Sequence, residues 1–423
     1  MHKSAVILWL ITLGWTWCRG QSQTDTAGTK SLRNRIQQSK TAQKFISGFK
    51  KNQDTVFNQK SEDPYVQYEG KIIRKIIIEH LHFERNIIDT SRTIRSFITN
   101  TANNLHVDSK PWVIRHNLFI REGQPLNSYR VADNERYLRD LDFILDSRIY
   151  VKPIENSTDS VDLVVVTRDV FSFGGSAEAS NPTKYKVQVQ ESNLAGMGQR
   201  LQFSTLFDAT RNPRTGYEVF YQKTNVMGSF INASVDYSQF ATGGNYGTEN
   251  QTSYYFQLSR SLFMPYTRWA GGLTLSRNQS VNVYSKSDTV FEQYRYNIQD
   301  YWLGYSFGHK KKLKEIRENR NRKFIALRTF QQQYTLVPLY YSNPFDKLIY
   351  HNRTSVLGQL TFLRQDFYKT RYVLGFGRTE DVPYGYRVSF TSGWEKEQER
   401  QRSYSGVEIY RNIVDHKGAF FTY

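Results

Sequence analysis

Cysteine is almost absent from this chain: Cys18 is the only one among 423 residues. A single thiol makes no intramolecular disulfide, no cysteine-based zinc site and no thiol redox pair. Long apolar runs are scarce as well. The one that exists lies within Met1–Gly20, and no stretch of about 18 apolar residues follows it, which excludes a bundle of membrane-spanning helices. Acidic charge is in deficit, with 39 Asp and Glu against 57 Lys and Arg and a net charge of +18. Mean hydropathy is −0.62. What the chain does hold is aromatic: 7 Trp, 29 Tyr and 27 Phe make up 15% of it. Disordered chains are poor in such residues, so disorder throughout is excluded. The length suits two or three ordinary domains, or one small domain with a large barrel.

Residues 1–20 read as a secretory signal. His2 and Lys3 form a basic start, Ala5–Trp17 an apolar core, and Cys18-Arg19-Gly20 a cleavage site before Gln21. A lipid-acceptor cysteine needs a small residue before it, and Trp17 stands there instead. Residues 21–69 are a polar arm, rich in Lys, Gln, Ser and Thr, that reads mostly as a tether.

Lys71–Phe83 is rich in β-branched residues and reads as a strand buried on at least one face. Two helical patches follow, Thr93–Thr101 and Trp112–Phe119. Gly123 and Pro125 break the chain into a turn. Asn127 or Ser128 can cap the next helix. There, Tyr137, Leu138 and Leu141 share an apolar face, while Asp133, Glu135, Arg136, Arg139 and Asp140 form a solvated one. Arg139 and Asp140 are expected at the surface with no individual role. Phe143–Val151 is a second strand, Pro153–Asp159 a turn, and Val161–Thr167 a third strand, apolar enough to be central.

The order in residues 70–168 is therefore strand, helix, helix, strand, strand. Within it, Glu122-Gly123, Glu135-Arg136, Leu138-Arg139-Asp140-Leu141 and Asp146-Ser147-Arg148-Ile149-Tyr150-Val151 stand as they do in a polypeptide-transport-associated (POTRA) domain, which this segment resembles. Such a domain works through its sheet edge, where unpaired backbone groups accept an extended peptide as an added strand. Ile149, Tyr150 and Val151 are the candidate client-binding residues.

From residue 169 to 423 the pattern is short alternating segments between turn residues. In Lys184–Gln190, Tyr185, Val187 and Val189 oppose Lys184, Lys186, Gln188 and Gln190. Ile231–Tyr237 and Leu303–Gly308 alternate likewise. A soluble sandwich would alternate too. Segments of about 10 residues with Tyr and Phe at their ends, behind a signal peptide, favour a transmembrane barrel of roughly 12–14 strands.

Four runs add a family resemblance. Thr167-Arg168-Asp169-Val170, Glu191–Phe203 (ESNLAGMGQRLQF), Arg260–Gly272 (RSLFMPYTRWAGG) and Thr379–Tyr386 (TEDVPYGY) resemble segments of the BamA/TamA family of outer-membrane assembly and translocation proteins. Glu191, Asn193, Gly196 and Gly198 match its hairpin motif, where glycines allow positive φ in a tight turn. Glu380, Asp381, Pro383, Gly385 and Tyr386 match a loop motif of one branch. Two departures stand out. The Arg-Gly-Phe/Tyr of the family's inward loop is missing, since Arg-Gly occurs only at Arg19-Gly20. The family barrel has sixteen strands, more than the spacing places here, and the simplest account is an early end at Tyr423. Against that account, Lys417–Tyr423 (KGAFFTY) fits the C-terminal barrel targeting pattern.

No nucleophile elbow, Walker loop or His-Glu-x-x-His is present, and no enzyme activity or cofactor is expected. His80 and His82 share a strand face but have no carboxylate or third His at matching spacing, so no metal site is expected. The basic run His309–Lys323 reads as a solvated loop suited to anionic headgroups; an exported chain rarely meets nucleic acid, which is not expected as a partner.

The expected fold is an α+β small domain followed by an antiparallel transmembrane β-barrel. The resemblance implies an outer-membrane protein, its small domain in the periplasm, that inserts outer-membrane proteins or translocates polypeptides. Its partners would be unfolded polypeptides, outer-membrane lipid and accessory lipoproteins. A passive porin and a soluble exported β-sandwich adhesin are the alternatives.

Overall fold

The computed structural model describes residues 59–81, 107–155, 157–241, 249–262, 267–307, 320–339, 349–371, 373, 379–398, 400–414 and 420–422. All of them fall in one compact unit, Phe57–Tyr423. The signal, the arm up to residue 58, His82, the Thr93–Thr101 helix, Tyr423 and most of the His309–Lys323 run lie outside the described residues.

The first described strand, β1, is short (Gln59–Lys60). The small domain then comprises β2 (Ile72–Leu81), α1 (Pro111–His116), α2 (Ser128–Arg139), β3 (Ile144–Ile154) and β4 (Ser157–Asp169). Its sheet order is β2-β4-β3, with β2 parallel and β3 antiparallel to β4. β4 is central because both of its faces are apolar. Val161, Leu163 and Val165 enter the main core with Ile73, Ile114 and Leu138, while Val164 and Val166 pack with Leu81 on the far side.

Local chemistry sets the helix ends. α1 starts at Pro111, whose missing N–H costs nothing in a first turn. It stops at His116, short of the expected Phe119. There, the N–H groups of Phe119 and Ile120 are accepted by the buried side chain of Asn134 instead (2.9 and 3.4 Å). Asn127 caps α2, its side chain accepting from the Arg130 N–H at 2.9 Å. β3 runs through Pro153, which an edge strand tolerates, so the expected turn shrinks to the residues between Ile154 and Ser157.

Only Val170, Phe171 and Ser172 separate β4 from the first strand of the large sheet. That sheet runs β5 (Phe173–Asn181), β6 (Lys184–Glu191), β7 (Gln199–Asp208), β8 (Thr215–Lys223), β9 (Asn232–Ala241), β10 (Gln251–Arg260), β11 (Trp269–Ser280), β12 (Arg295–Phe307), β13 (Asn321–Leu336), β14 (Arg353–Arg371), β15 (Thr379–Glu397), β16 (Arg400–Val414) and β17 (Phe420–Thr422). Among the described residues each strand pairs antiparallel with the next, giving thirteen strands in an unbroken meander; β1 makes the fourteenth. β1 attaches to β14 at Lys369 and Tyr368, past Arg364 where the partner strand β13 has run out. Among the described residues no pairing joins β5 to β16 or β17, so the sheet is an open path rather than the closed ring of the expectation.

The register keeps the two faces chemically distinct. Val189, Phe203, Val219, Tyr237 and Tyr254 stand opposite one another in succession across five strands. Leu360, Phe390 and Val407 do the same across β14–β16. On the other face, Gln188, Ser204, Glu218 and Ser238 form the matching row. Glu218 there accepts from Gln202 (3.2 Å) and Ser204 (3.1 Å) and pairs with Lys186 (3.5 Å). Tyr185, Val187 and Val189 are exposed, 43, 38 and 42% respectively, in the alternation expected from the sequence.

Candidate functional site

The small domain sits against the end of the large sheet at which β4 enters it. Glu135, one helical turn before the C-terminus of α2, occupies the centre of the contact and is 1% exposed. It takes an ion pair from Lys369 of β14 and another from Arg139 at 2.7 Å. It also accepts from the Ile149 N–H (2.8 Å) and the Tyr65 hydroxyl. Burial alone would raise this carboxyl; Lys369, Arg139 and Arg148 outweigh it and hold the group well below the ordinary carboxylate range. Burial, reinforced by the Glu135 charge, pushes the Tyr65 phenol up, so it stays a donor.

Arg139 continues the network to Asp381 of β15 (Nη2, 2.7 Å) and donates to the Ser147 carbonyl (2.7 Å). Thr379 of β15 donates to Asp146 (3.0 Å) and accepts from Arg148 (3.0 Å). Two residues before Glu135 on α2, Asp133 receives both 2.9 Å bonds of the Arg320 Nη2, whose Nε lies 3.2 Å from Asp366 of β14. The Arg136 guanidinium lies 4.1 Å from the Phe367 ring centroid. The solvated face expected on α2 is therefore a buried one. Asp133, Glu135, Arg136 and Arg139 are polar because each meets an opposite charge or an aromatic face on or beside β13–β15, and Arg139 has a definite role. Asp140 remains exposed and pairs with Arg136.

Two turns grip α1 at its two ends. In the β6–β7 turn, Asn193 accepts from the Gly198 N–H (2.8 Å) and donates to Ser109 (2.8 Å), and Gly196 accepts from the Lys110 N–H (2.9 Å). In the β8–β9 turn, Asn225 donates to the His116 carbonyl and to Asn117, both at 2.9 Å, and accepts from the Phe230 N–H. Asn193-Leu194-Ala195-Gly196 and Asn225-Val226-Met227-Gly228 are the same device, each with its third residue at positive φ. Gly196 has φ +69°, and a Cβ there would stand 2.3 Å from the Asp108 carbonyl. Gly196→Ala is expected to cost about 1–3 kcal/mol through left-handed strain and this collision. Thermal unfolding checks it; an unchanged melting temperature would contradict the docking described.

The residues singled out in the sequence occupy three places. Glu191 and Asn193 meet in the hairpin turn, where Glu191 accepts from the Asn193 N–H (3.0 Å). Gly198, φ +62°, packs on Phe143. Glu380, Asp381, Pro383, Gly385 and Tyr386 lie within strand β15 rather than in a loop, because β14 pairs with them throughout. Gly385 has φ +135°, and a Cβ would stand 2.1 Å from the Arg364 carbonyl. Asp381 brings this motif onto the Leu-Arg-Asp-Leu motif of α2. Ile149, Tyr150 and Val151 lie on the edge strand β3, but the expected open edge is closed at Ile149. Its N–H goes to Glu135, and its carbonyl lies 3.0 Å from the Tyr65 hydroxyl, whose one proton is shared between this carbonyl and Glu135. Lys369, Arg320, Tyr65 and Asn225 carried no motif. Only Asn225 had a legible signal, the repeat of Asn-x-x-Gly at a strand end.

No protein-family model and no curated protein matches the chain. Among solved structures it is similar to BamA from Haemophilus ducreyi lacking POTRA domains 1–3, at 10% identity and a TM-score of 0.32, covering 81% of this chain and 78% of that one. It is similar to CdiB from Escherichia coli at 10% identity and TM-score 0.34, covering 82% and 70%. CdiB from Acinetobacter baumannii gives 12% identity and TM-score 0.34, covering 91% and 76%. Likenesses this faint leave the role of the chain to be argued from its own residues.

Proposed function

We propose that the chain is an outer-membrane β-barrel whose POTRA-like small domain faces the periplasm, and that it inserts or translocates polypeptides. The observation that carries this reading is the two-faced meander. An apolar row runs outward from strand to strand, and a Gln/Ser/Glu/Lys row runs behind it, as a sheet between lipid and water requires. The order of the small domain, with β4 leading straight into β5, and the family motifs of the sequence add support. Unfolded polypeptides, membrane lipid and accessory lipoproteins are the partners this reading implies. Strand addition to β3 is confined to Val151 and beyond, since Ile149 is taken.

Two measurements test this. The refolded chain should migrate faster in gel electrophoresis unheated than boiled, as closed barrels do; unchanged migration would contradict the barrel. In planar bilayers, conductance should fall when an unfolded barrel-strand peptide is added from the small-domain side. Conductance indifferent to peptide would identify a passive channel instead.

A further inference from the structure

We infer that His80, Asp108 and Asp169 form a site for one divalent transition-metal ion of the kind that takes mixed nitrogen and oxygen donors. The three residues come from β2, from the segment leading into α1 and from the end of β4. One donor atom of each lies within 4.8 Å of the others. His80 Nε2 stands 3.2 Å from Asp169 Oδ2. A tetrahedral zinc with bonds of about 2.0–2.1 Å separates its ligand atoms by about 3.3 Å.

The imidazole is held as a ligand is held. Its Nδ1 lies 2.9 Å from the buried Thr167 hydroxyl. A hydrogen bond from Nδ1–H to such a partner fixes the tautomer that presents a lone pair at Nε2. Nε2 is buried and has no aligned hydrogen-bond partner, although a carboxylate oxygen is 3.2 Å away. A lone pair facing a carboxylate at that distance is stable only with positive charge between them, either a proton or a metal ion. The Asp169 carboxylate is itself oriented, accepting from the Ser109 N–H at 2.6 Å. Asn193 Nδ2 reaches the same carboxylate at 3.5 Å. A bound ion would thus tie β2, α1 and β4 to the β6–β7 turn.

The test uses the full chain folded in detergent, stripped with EDTA and dialysed against Zn2+, with bound metal measured by mass spectrometry. The chain has 8 His, so the comparison with variants decides. One saturable equivalent is expected in the wild type, with Kd raised by about tenfold or more in His80→Gln and in Asp108→Asn. Thr167→Val should weaken binding by about 10–100-fold through loss of the orienting bond. Far-UV circular dichroism verifies that each variant is folded; Asp108 is half-buried, so Asp108→Asn decides should His80→Gln misfold. Co2+ in place of Zn2+ should give a d–d absorption band that Asp108→Asn abolishes. No saturable equivalent in the wild type, or unchanged Kd in folded Asp108→Asn, would overturn the assignment and leave a proton between His80 and Asp169.

Discussion

Replacing Glu135 with Ala is expected to destabilise the protein by about 3–5 kcal/mol, the range for breaking a buried ion pair from one side. The loss is large because of what stays behind. Lys369 and Arg139, both nearly inaccessible, lose a shared counter-charge, and the Ile149 N–H loses its acceptor. Asp381 still serves Arg139 and lies across the strand pair from Lys369, but among the described residues Glu135 makes the ion pair to Lys369. An exposed pair on the sheet, Arg387–Glu408, provides the control: both side chains are at least half exposed, and Glu408→Ala should cost no more than about 1 kcal/mol. Urea unfolding with hydrogen exchange on α2 separates the two effects. A Glu135→Ala loss as small as that of Glu408→Ala would mean that the small domain does not depend on this contact. The pH dependence has a definite sign. Glu135 is held below its unfolded value, about 4.3. Its contribution is therefore complete above that pH and declines only as the pH falls through the depressed folded value, leaving the range from about pH 5 to 8 flat for this group.

Placing Arg at Val187 is expected to cost about 2–4 kcal/mol if the outward face meets hydrocarbon at mid-bilayer, while Arg at Gln188 should cost far less. Val187 is central in β6 and lies on the exposed face; Gln188 sits in the polar row opposite Ser204 and Ser176. Strand side chains alternate, so a one-residue slip in register would exchange the two results. Stability alone does not separate a membrane from a soluble partner surface. Spin or fluorescent labels on single cysteines do: a lipid-soluble quencher should reach positions 185, 187 and 189, and a water-soluble one 186, 188 and 190. Equal quenching of both sets would remove this strand from the membrane.

What the sequence made legible was the periodic part. Alternation in Lys184–Gln190 and the double-sided apolar run Val161–Thr167 each obey one local rule, and strands formed at both. The charged residues of α2 depart from the solvated face expected of them for the opposite reason. A helix face carrying Asp133, Glu135, Arg136 and Arg139 has the pattern of a solvated face whether water or a second charged surface covers it. The partners Arg320, Lys369 and Asp381 stand 187, 234 and 242 residues away, far outside any spacing relation to the helix. Likewise His80 had no carboxylate at strand spacing, because Asp169 is brought to it by the sheet pairing of β2 with β4 and Asp108 by the approach to α1. The closed edge at Ile149 depended on Tyr65 and Glu135 arriving together, which no strand pattern contains.

The short passage from β4 to β5 has a mechanical consequence. Three residues span about 10 Å at full extension, and Val170 is further pinned by its N–H to the Phe143 carbonyl at 3.0 Å. The linkage therefore has almost no slack, and it acts as a stiff crank rather than a tether. A pull on the small domain would be delivered as torque on the first strand of the large sheet, the strand whose outer edge has no neighbour among the described residues. The other end of the same domain is tied to β14 and β15 by salt bridges, so the load path runs from one margin of the sheet to β14 and β15 through the small domain.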